Sequence, residues 1–209
     1  MLNFKYFYFL CILIIISGCS KNKDIEIFFN DGFVYKAQNE LISELKLLHS
    51  RKDIKNALLQ QDWIKDFKID FRINGNIKII LDTKNPIFIW NEKYYVDSDV
   101  NTFKFDNTNT SLAQVFCPSN QLNEARNLID SIKNKESLKD LQLIKLNFKY
   151  SSGWTLFLAN KTTIKFGKDI SAERLHVFEQ TMNYIYENKS IPSMIDLRYK
   201  DGVALNYGK

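Results

Sequence analysis

The sequence predicts an α+β protein in three parts. Residues 1–24 form an N-terminal membrane segment, residues 25–92 a small module of order strand, helix, helix, strand, strand, and residues 93–209 a mostly antiparallel, curved β-sheet module with helices on one side. Three observations carry this: one long apolar run at the start, a switch from helical to alternating periodicity between residues 37 and 81, and repeated short strand-like runs after Lys93. Hydrophobic residues at 45% with charged residues at 25% describe a chain that can bury a core, which excludes wholesale disorder. The net charge of +5 comes from 29 basic and 24 acidic residues mixed along the whole length, so no strip is basic enough for a row of phosphates and nucleic acid is not an expected partner.

The N-terminal segment starts basic at Lys5, runs apolar from Tyr6 to Ile16, and closes on Ser17-Gly18-Cys19-Ser20 before the polar Lys21-Asn22-Lys23-Asp24. This matches an export signal, and everything after residue 24 is expected outside the cytoplasm. The apolar stretch of roughly 13 residues would make a helix of about 20 Å, short against a bilayer core of about 30 Å. A spanning helix needs Leu2 to Ser20, with Lys5 snorkelling to the interface. Ile16-Ser17-Gly18-Cys19 also looks like a bacterial lipobox, which makes Cys19 a candidate lipidation site. Lys21 and Lys23 balance Lys5 and the amino terminus, so charge does not arbitrate between a spanning helix and a lipid anchor.

In the first module, Ile25 to Phe29 reads as a strand closed by the turn signal Asn30-Asp31-Gly32. Ala37, Leu41, Leu45 and Leu48 share one helical face. Ser50 can cap a second helix that presents Ile54, Ala57 and Leu58, with Trp63 near its end. Lys68 to Ile73 then alternates strictly, Asn74-Gly75-Asn76 breaks it, and Ile77 to Leu81 resumes, which is a hairpin. A two-residue Asn-Gly turn would mix the faces. A three-residue loop pairing Ile73 with Ile77, Phe71 with Ile79 and Ile69 with Leu81 keeps one face apolar and is the expected register.

In the second module the expected strands are Lys93 to Val96, Phe103 to Phe105, Leu143 to Tyr150, Trp154 to Ala159, Thr163 to Phe166, Met194 to Tyr199 and Val203 to Tyr207. Two helices interrupt them. One spans Leu122 to Lys133 and presents Leu128, Ile129 and Ile132; the other is capped by Ser171, presents Leu175, Phe178, Met182 and Ile185, and stops before Pro192.

No catalytic carrier is visible. Cys11 lies in the apolar run, and Cys19 and Cys117 have no metal-like spacing, so neither a zinc site nor a disulfide framework is indicated; a Cys19–Cys117 bridge stays open. His49 and His176 lie on separate amphipathic helices without a partner motif and read as structural. Asp97-Ser98-Asp99 reads as a turn rather than an acid/base pair. There is no phosphate loop, metalloprotease helix or nucleophile elbow, so no cofactor, metal or small-molecule ligand is expected.

What is left is binding surface. Val203 to Tyr207 is expected at a sheet edge whose unpaired backbone groups can accept a partner strand. Tyr199 and Tyr207 carry apolar area with a polar tip and Arg198 is a planar donor, types that recur as interface anchors. Equally open on composition is that both tyrosines close the core and Arg198 pairs with Asp196 or with a neighbouring strand.

The order β-α-α-β-β behind a membrane segment resembles a POTRA domain. Trp63-Ile64-Lys65, Asn85-Pro86-Ile87-Phe88-Ile89-Trp90-Asn91, Tyr95-Val96-Asp97, Asn101-Thr102-Phe103, Trp154 to Leu158, Ile164 to Lys168, Arg174-Leu175 with Phe178, and Ile195 to Tyr199 with Gly202 together resemble, in order, the bacterial FtsQ/DivIB division family. The chain departs from that pattern in its very short start, its lipobox-like apolar end, a shortened inter-helix region, and Asn206-Tyr207 where the family usually ends in tryptophan. The resemblance implies a non-enzymatic scaffold in the periplasm, held at the inner membrane at the division septum. It would bind FtsB and FtsL and link early and late division proteins. It also implies that the positions matching the strand region that receives FtsB, namely Arg198, Tyr199, Gly202 and Tyr207, with Val203 on the same edge, bind the partner. The competing expectation is a POTRA-containing envelope lipoprotein that assists secretion or outer-membrane protein assembly and recruits strands at the first module's edge.

Overall fold

The computed structural model of the chain describes residues 24–30, 32–48, 50–73, 75–135, 138, 141–168 and 170–208. The apolar run with Cys19, and His49, lie outside the described residues. Among the described residues no helix is long and apolar enough to cross a membrane.

The first module has the expected order: β1 (Ile25–Phe29), α1 (Ala37–Leu47), α2 (Arg51–Leu59), β2 (Ile64–Phe71) and β3 (Ile77–Thr83). Its sheet runs β1-β3-β2, with β1 parallel and β2 antiparallel to the central β3. Leu41 and Leu45 of α1 and Ile54, Ala57 and Leu58 of α2 are buried over Ile77, Ile79 and Leu81, as the two helical stripes require. Ser50 occupies the N-cap of α2, but its side chain makes no capping hydrogen bond.

The hairpin register differs from expectation by two residues. Phe71 pairs with Ile77, Ile69 with Ile79 and Phe67 with Leu81. The Arg72 N–H donates to the Asn76 carbonyl (2.9 Å) and the Gly75 N–H to the Arg72 carbonyl (3.0 Å), which closes a three-residue loop over 73–75. The loop length is the expected one, but its position is set by Gly75, whose φ of 90° suits the left-handed third position of such a loop. Sliding the loop by one residue shifts the pairing by two, so the apolar face is preserved and Ile73 is left at the tip.

The remaining strands form one nine-stranded sheet: β4 (Pro86–Trp90), β5 (Tyr94–Asp97), β6 (Thr102–Lys104), β7 (Gln114–Phe116), β8 (Leu143–Lys149), β9 (Gly153–Leu158), β10 (Thr163–Gly167), β11 (Met194–Asp196) and β12 (Ala204–Asn206). Their spatial order is β12-β11-β10-β9-β8-β7-β4-β5-β6. The strand Pro86–Trp90 hydrogen-bonds in this sheet, so the chain changes sheets at Lys84–Asn85. β7 was not expected, and β11 is shorter than the expected Met194 to Tyr199.

Antiparallel pairs dominate, but β4–β7, β7–β8 and β10–β11 run parallel. Two of these three have a helix between their strands, α3 (Leu122–Lys133) and α4 (Ala172–Asn188), and a helical crossover returns the chain in the same direction. Both helices lie over one face of the sheet. On that face an apolar row crosses seven strands: Trp90, Val115, Leu146, Leu156, Ile164, Ile195 and Leu205. On the other face Ile89, Tyr95 and Phe103 join the core of the first module.

Candidate partner-binding edge

The terminal ribbon is built by β11 and β12, with Met194 opposite Asn206, Ile195 opposite Leu205 and Asp196 opposite Ala204. β12 ends the sheet order, and among the described residues no strand pairs with its outer side. The Asn206 carbonyl points inward, accepting from the Ser193 N–H at 2.8 Å and from the Ser193 hydroxyl at 3.0 Å. Successive carbonyls of a strand point to opposite sides, so the N–H and C=O of Leu205 face the open edge. Leu205 and Val203 pack their side chains partly on the helix-side core.

The segment that leads from β11 toward β12 is held by side-chain hydrogen bonds. The Asp196 carboxylate is nearly buried, at 4% exposure, and accepts from the Arg198 N–H (3.1 Å), Nε (2.8 Å) and Nη2 (2.6 Å). Hydrogen bonding by Arg198 outweighs the desolvation of Asp196 and holds its carboxyl below the usual carboxylate range. Leu197 continues the ladder, its N–H donating to the Lys165 carbonyl at 2.9 Å. From the first turn of α4, Arg174 donates through Nη1 to the carbonyls of Leu197 and, at 2.9 Å, Tyr199. Gly167, at φ 91°, lets Arg198 lie across it: a Cβ there would stand 3.2 Å from Arg198 Cγ.

The expected site residues therefore divide. Arg198 takes the intramolecular pairing with Asp196 and keeps about two fifths of its side chain exposed. Tyr199 (58% exposed) and Tyr207 (47%) do not close the core. Gly202 is exposed, and a Cβ placed on it would meet nothing within 4 Å. Val203 is half-buried. Arg174 was not read as part of this region: its link to Tyr199 depends on where the first turn of α4 lands against β11, and nothing local in the sequence encodes that. Cys117 is a free, buried thiol, pushed up to about 12 by desolvation. Asp97 forms the expected turn, accepting from the N–H groups of Asp99 (3.0 Å) and Asn101 (2.8 Å). His176 is exposed beside Glu179, and among the described residues no metal-binding cluster exists.

The family model described as "Cell division protein FtsQ/DivIB, C-terminal" matches residues 88–198, from β4 to Arg198. The chain is also similar to proteins named "Cell division protein FtsQ". The one from Neisseria meningitidis is 21% identical over 154 residues, covering 73% of this chain and 66% of the relative. The one from Escherichia coli K12 is 26% identical over 157 residues, covering 69% of this chain and 55% of the relative. The chain thus spans just under two thirds of the Neisseria relative and about half of the Escherichia one.

Proposed function

This chain belongs to the FtsQ/DivIB family of cell division proteins, and from that premise we propose that it is a non-enzymatic division scaffold that binds FtsB, and with it FtsL, by accepting a strand of FtsB at the β12 edge. Its folded modules stand in the periplasm, anchored at the inner membrane at the septum, and link early to late division proteins. The observation that carries this reading is the open outer side of β12, flanked by exposed Tyr199 and Tyr207. An incoming strand takes up the outward N–H and C=O of Leu205, and its side chain beside Leu205 extends the apolar row that already crosses the sheet. Tyr199, Gly202, Val203, Tyr207 and the exposed part of Arg198 then choose among strands. The bonds that Arg174 donates and Asp196 accepts set this surface in place before binding, so little ordering cost falls on association.

Replacing Tyr199→Glu puts a charge where the partner strand docks and lowers FtsB capture about tenfold or more, the loss of a 1–2 kcal/mol anchor. Tyr199 is exposed, so the variant keeps its circular dichroism and melting temperature; undiminished capture by that folded variant overturns the site. Depletion separates the division role from escort of envelope proteins: filamentous cells support division, whereas envelope leakage without filaments supports escort. The mass of the mature N-terminus decides the anchor, since an acylated Cys19 excludes the spanning helix.

A further inference from the structure

The two most exposed large apolar side chains among the described residues are Ile73, fully exposed, and Leu47, at 76%. Both lie at one end of the first module. Ile25, Ile77 and Phe71 form the last cross-strand row of its sheet, and Asp24, just before that row, accepts from the Ile77 N–H at 3.0 Å. The loop that carries Ile73 projects beyond the same row. Arg51, at the start of α2, places its guanidinium 4.3 Å from the Phe71 ring centroid, which brings the α1–α2 connection, and Leu47 with it, to this end. A hairpin tip ordinarily carries polar turn formers, and among the described residues no packing in the module accounts for isoleucine there.

This is also the end at which the chain arrives from the apolar run. Only Ser17 to Lys23 separate that run from Asp24, a tether of at most about 25 Å when fully extended. Exposed Lys46, Arg51, Lys52 and Arg72 lie at or within a few residues of the apolar tips in sequence, with Lys21 and Lys23 just upstream, against Asp24, Glu26, Glu44 and Asp53; Arg72 is 3.5 Å from Glu26. The opposite end of the module, where Thr83 leads through Lys84 and Asn85 into Pro86, carries the nine-stranded sheet.

We infer that this end of the first module docks on the bilayer surface, with Ile73 and Leu47 entering the boundary between headgroups and acyl chains and the basic residues facing anionic headgroups. The inference rests on the membrane anchoring proposed above, and it holds for either anchor, because a spanning helix and a lipidated Cys19 both keep the tether short. Exposed apolar tips flanked by basic side chains, at the end where a short tether arrives, are the composition of an interfacial contact. The contact fixes the orientation of the molecule, standing the first module on the membrane and holding the β12 edge away from it.

The test uses the full chain in vesicles of phosphatidylethanolamine and phosphatidylglycerol, with a photoreactive residue introduced as Ile73→p-benzoylphenylalanine or Leu47→p-benzoylphenylalanine. The same residue at Leu59, exposed at the far end of α2, serves as the distal comparator, and flotation of the chain with the vesicles, which either anchor produces, reports on the anchor. After irradiation, mass spectrometry finds lipid adducts at 47 and 73 severalfold above that at 59. Flotation with no excess at 47 and 73 over 59 overturns the docking and leaves the anchor intact. A chain that does not float overturns the anchoring, and the docking with it.

Discussion

Asp196 is a carboxylate that the fold keeps almost out of water, and it remains there because Arg198 supplies three donors within two residues. Hydrogen bonds to a charged group contribute about 1.5–3 kcal/mol, so Asp196→Asn lowers unfolding free energy by an amount of that order, read by chemical denaturation. The pH dependence follows from the direction of the shift. The folded-state carboxyl sits below its unfolded value, so its stabilisation is complete above the ordinary carboxylate pKa and is lost as pH falls through the lowered one. The gap in stability between wild type and Asp196→Asn is therefore constant from neutral pH down to about 4, then closes on further acidification. A gap that persists at the lowest pH assigns the effect to shape rather than charge. Residues two apart in a strand share a face, which is why the Asp196–Arg198 pair was one of the two readings open in the sequence. The other, tyrosines as partner anchors, was equally legible for Tyr199 and Tyr207, and their exposure is compatible with it. The hold of Arg174 on the Tyr199 carbonyl spans 25 positions and left no local trace.

At the level of elements, strand addition at β12 has a signature that side-chain docking lacks: a phase. In a pair of strands, alternate residues of each strand turn their N–H toward the other. A synthetic FtsB segment N-methylated at every residue whose N–H faces β12 loses the main-chain bond to the Leu205 carbonyl, about 1 kcal/mol, and binds roughly fivefold more weakly. Methylation in the opposite phase leaves affinity near that of the parent, as titration calorimetry would register. Equal losses in both phases sink the strand-addition mechanism even if the tyrosines matter. The elements themselves were legible in proportion to their length and periodicity. The helices Leu122–Lys133 and Ala172–Asn188 follow from apolar spacing and a Ser171 cap, whose side chain does accept the Arg174 N–H at 3.3 Å. β7 has only three residues in a stretch rich in asparagine, threonine and serine, and both its neighbours come from elsewhere in the chain, so tertiary pairing alone makes it a strand.

At the scale of the whole molecule the core of the first module is completed by residues of the second. Phe33, Tyr35 and Trp63 from the first meet Tyr95, Phe103 and Phe105 from the second in a chain of ring contacts, with Tyr35–Phe103 centroids 5.9 Å and Tyr95–Phe103 centroids 5.5 Å apart. Tyr35 donates to the Lys84 carbonyl, and burial raises its phenol far above the ordinary tyrosine pKa, as befits a side chain sealed between layers. The strand Pro86–Trp90 divides its faces: Phe88 points to the helix-side core and Ile89 to the first module. An alternating strand buried on both sides reads as an ordinary apolar run, so the sequence does not mark which face meets which module. A shared core makes the modules unfold together. Phe103→Ala empties a site that is 2% exposed and costs about 3–5 kcal/mol, and the loss appears in both modules although Phe103 belongs to only one. Hydrogen exchange followed through a urea series reads this directly, with β3 and β9 reporting on the two halves. In the wild type both lose protection in one transition, and in the variant both midpoints fall together. Protection that survives in β9 after β3 has exchanged would mean two independently stable units in contact. In that case a pull on the β12 edge would not be transmitted as one body to the Ile73 end of the first module.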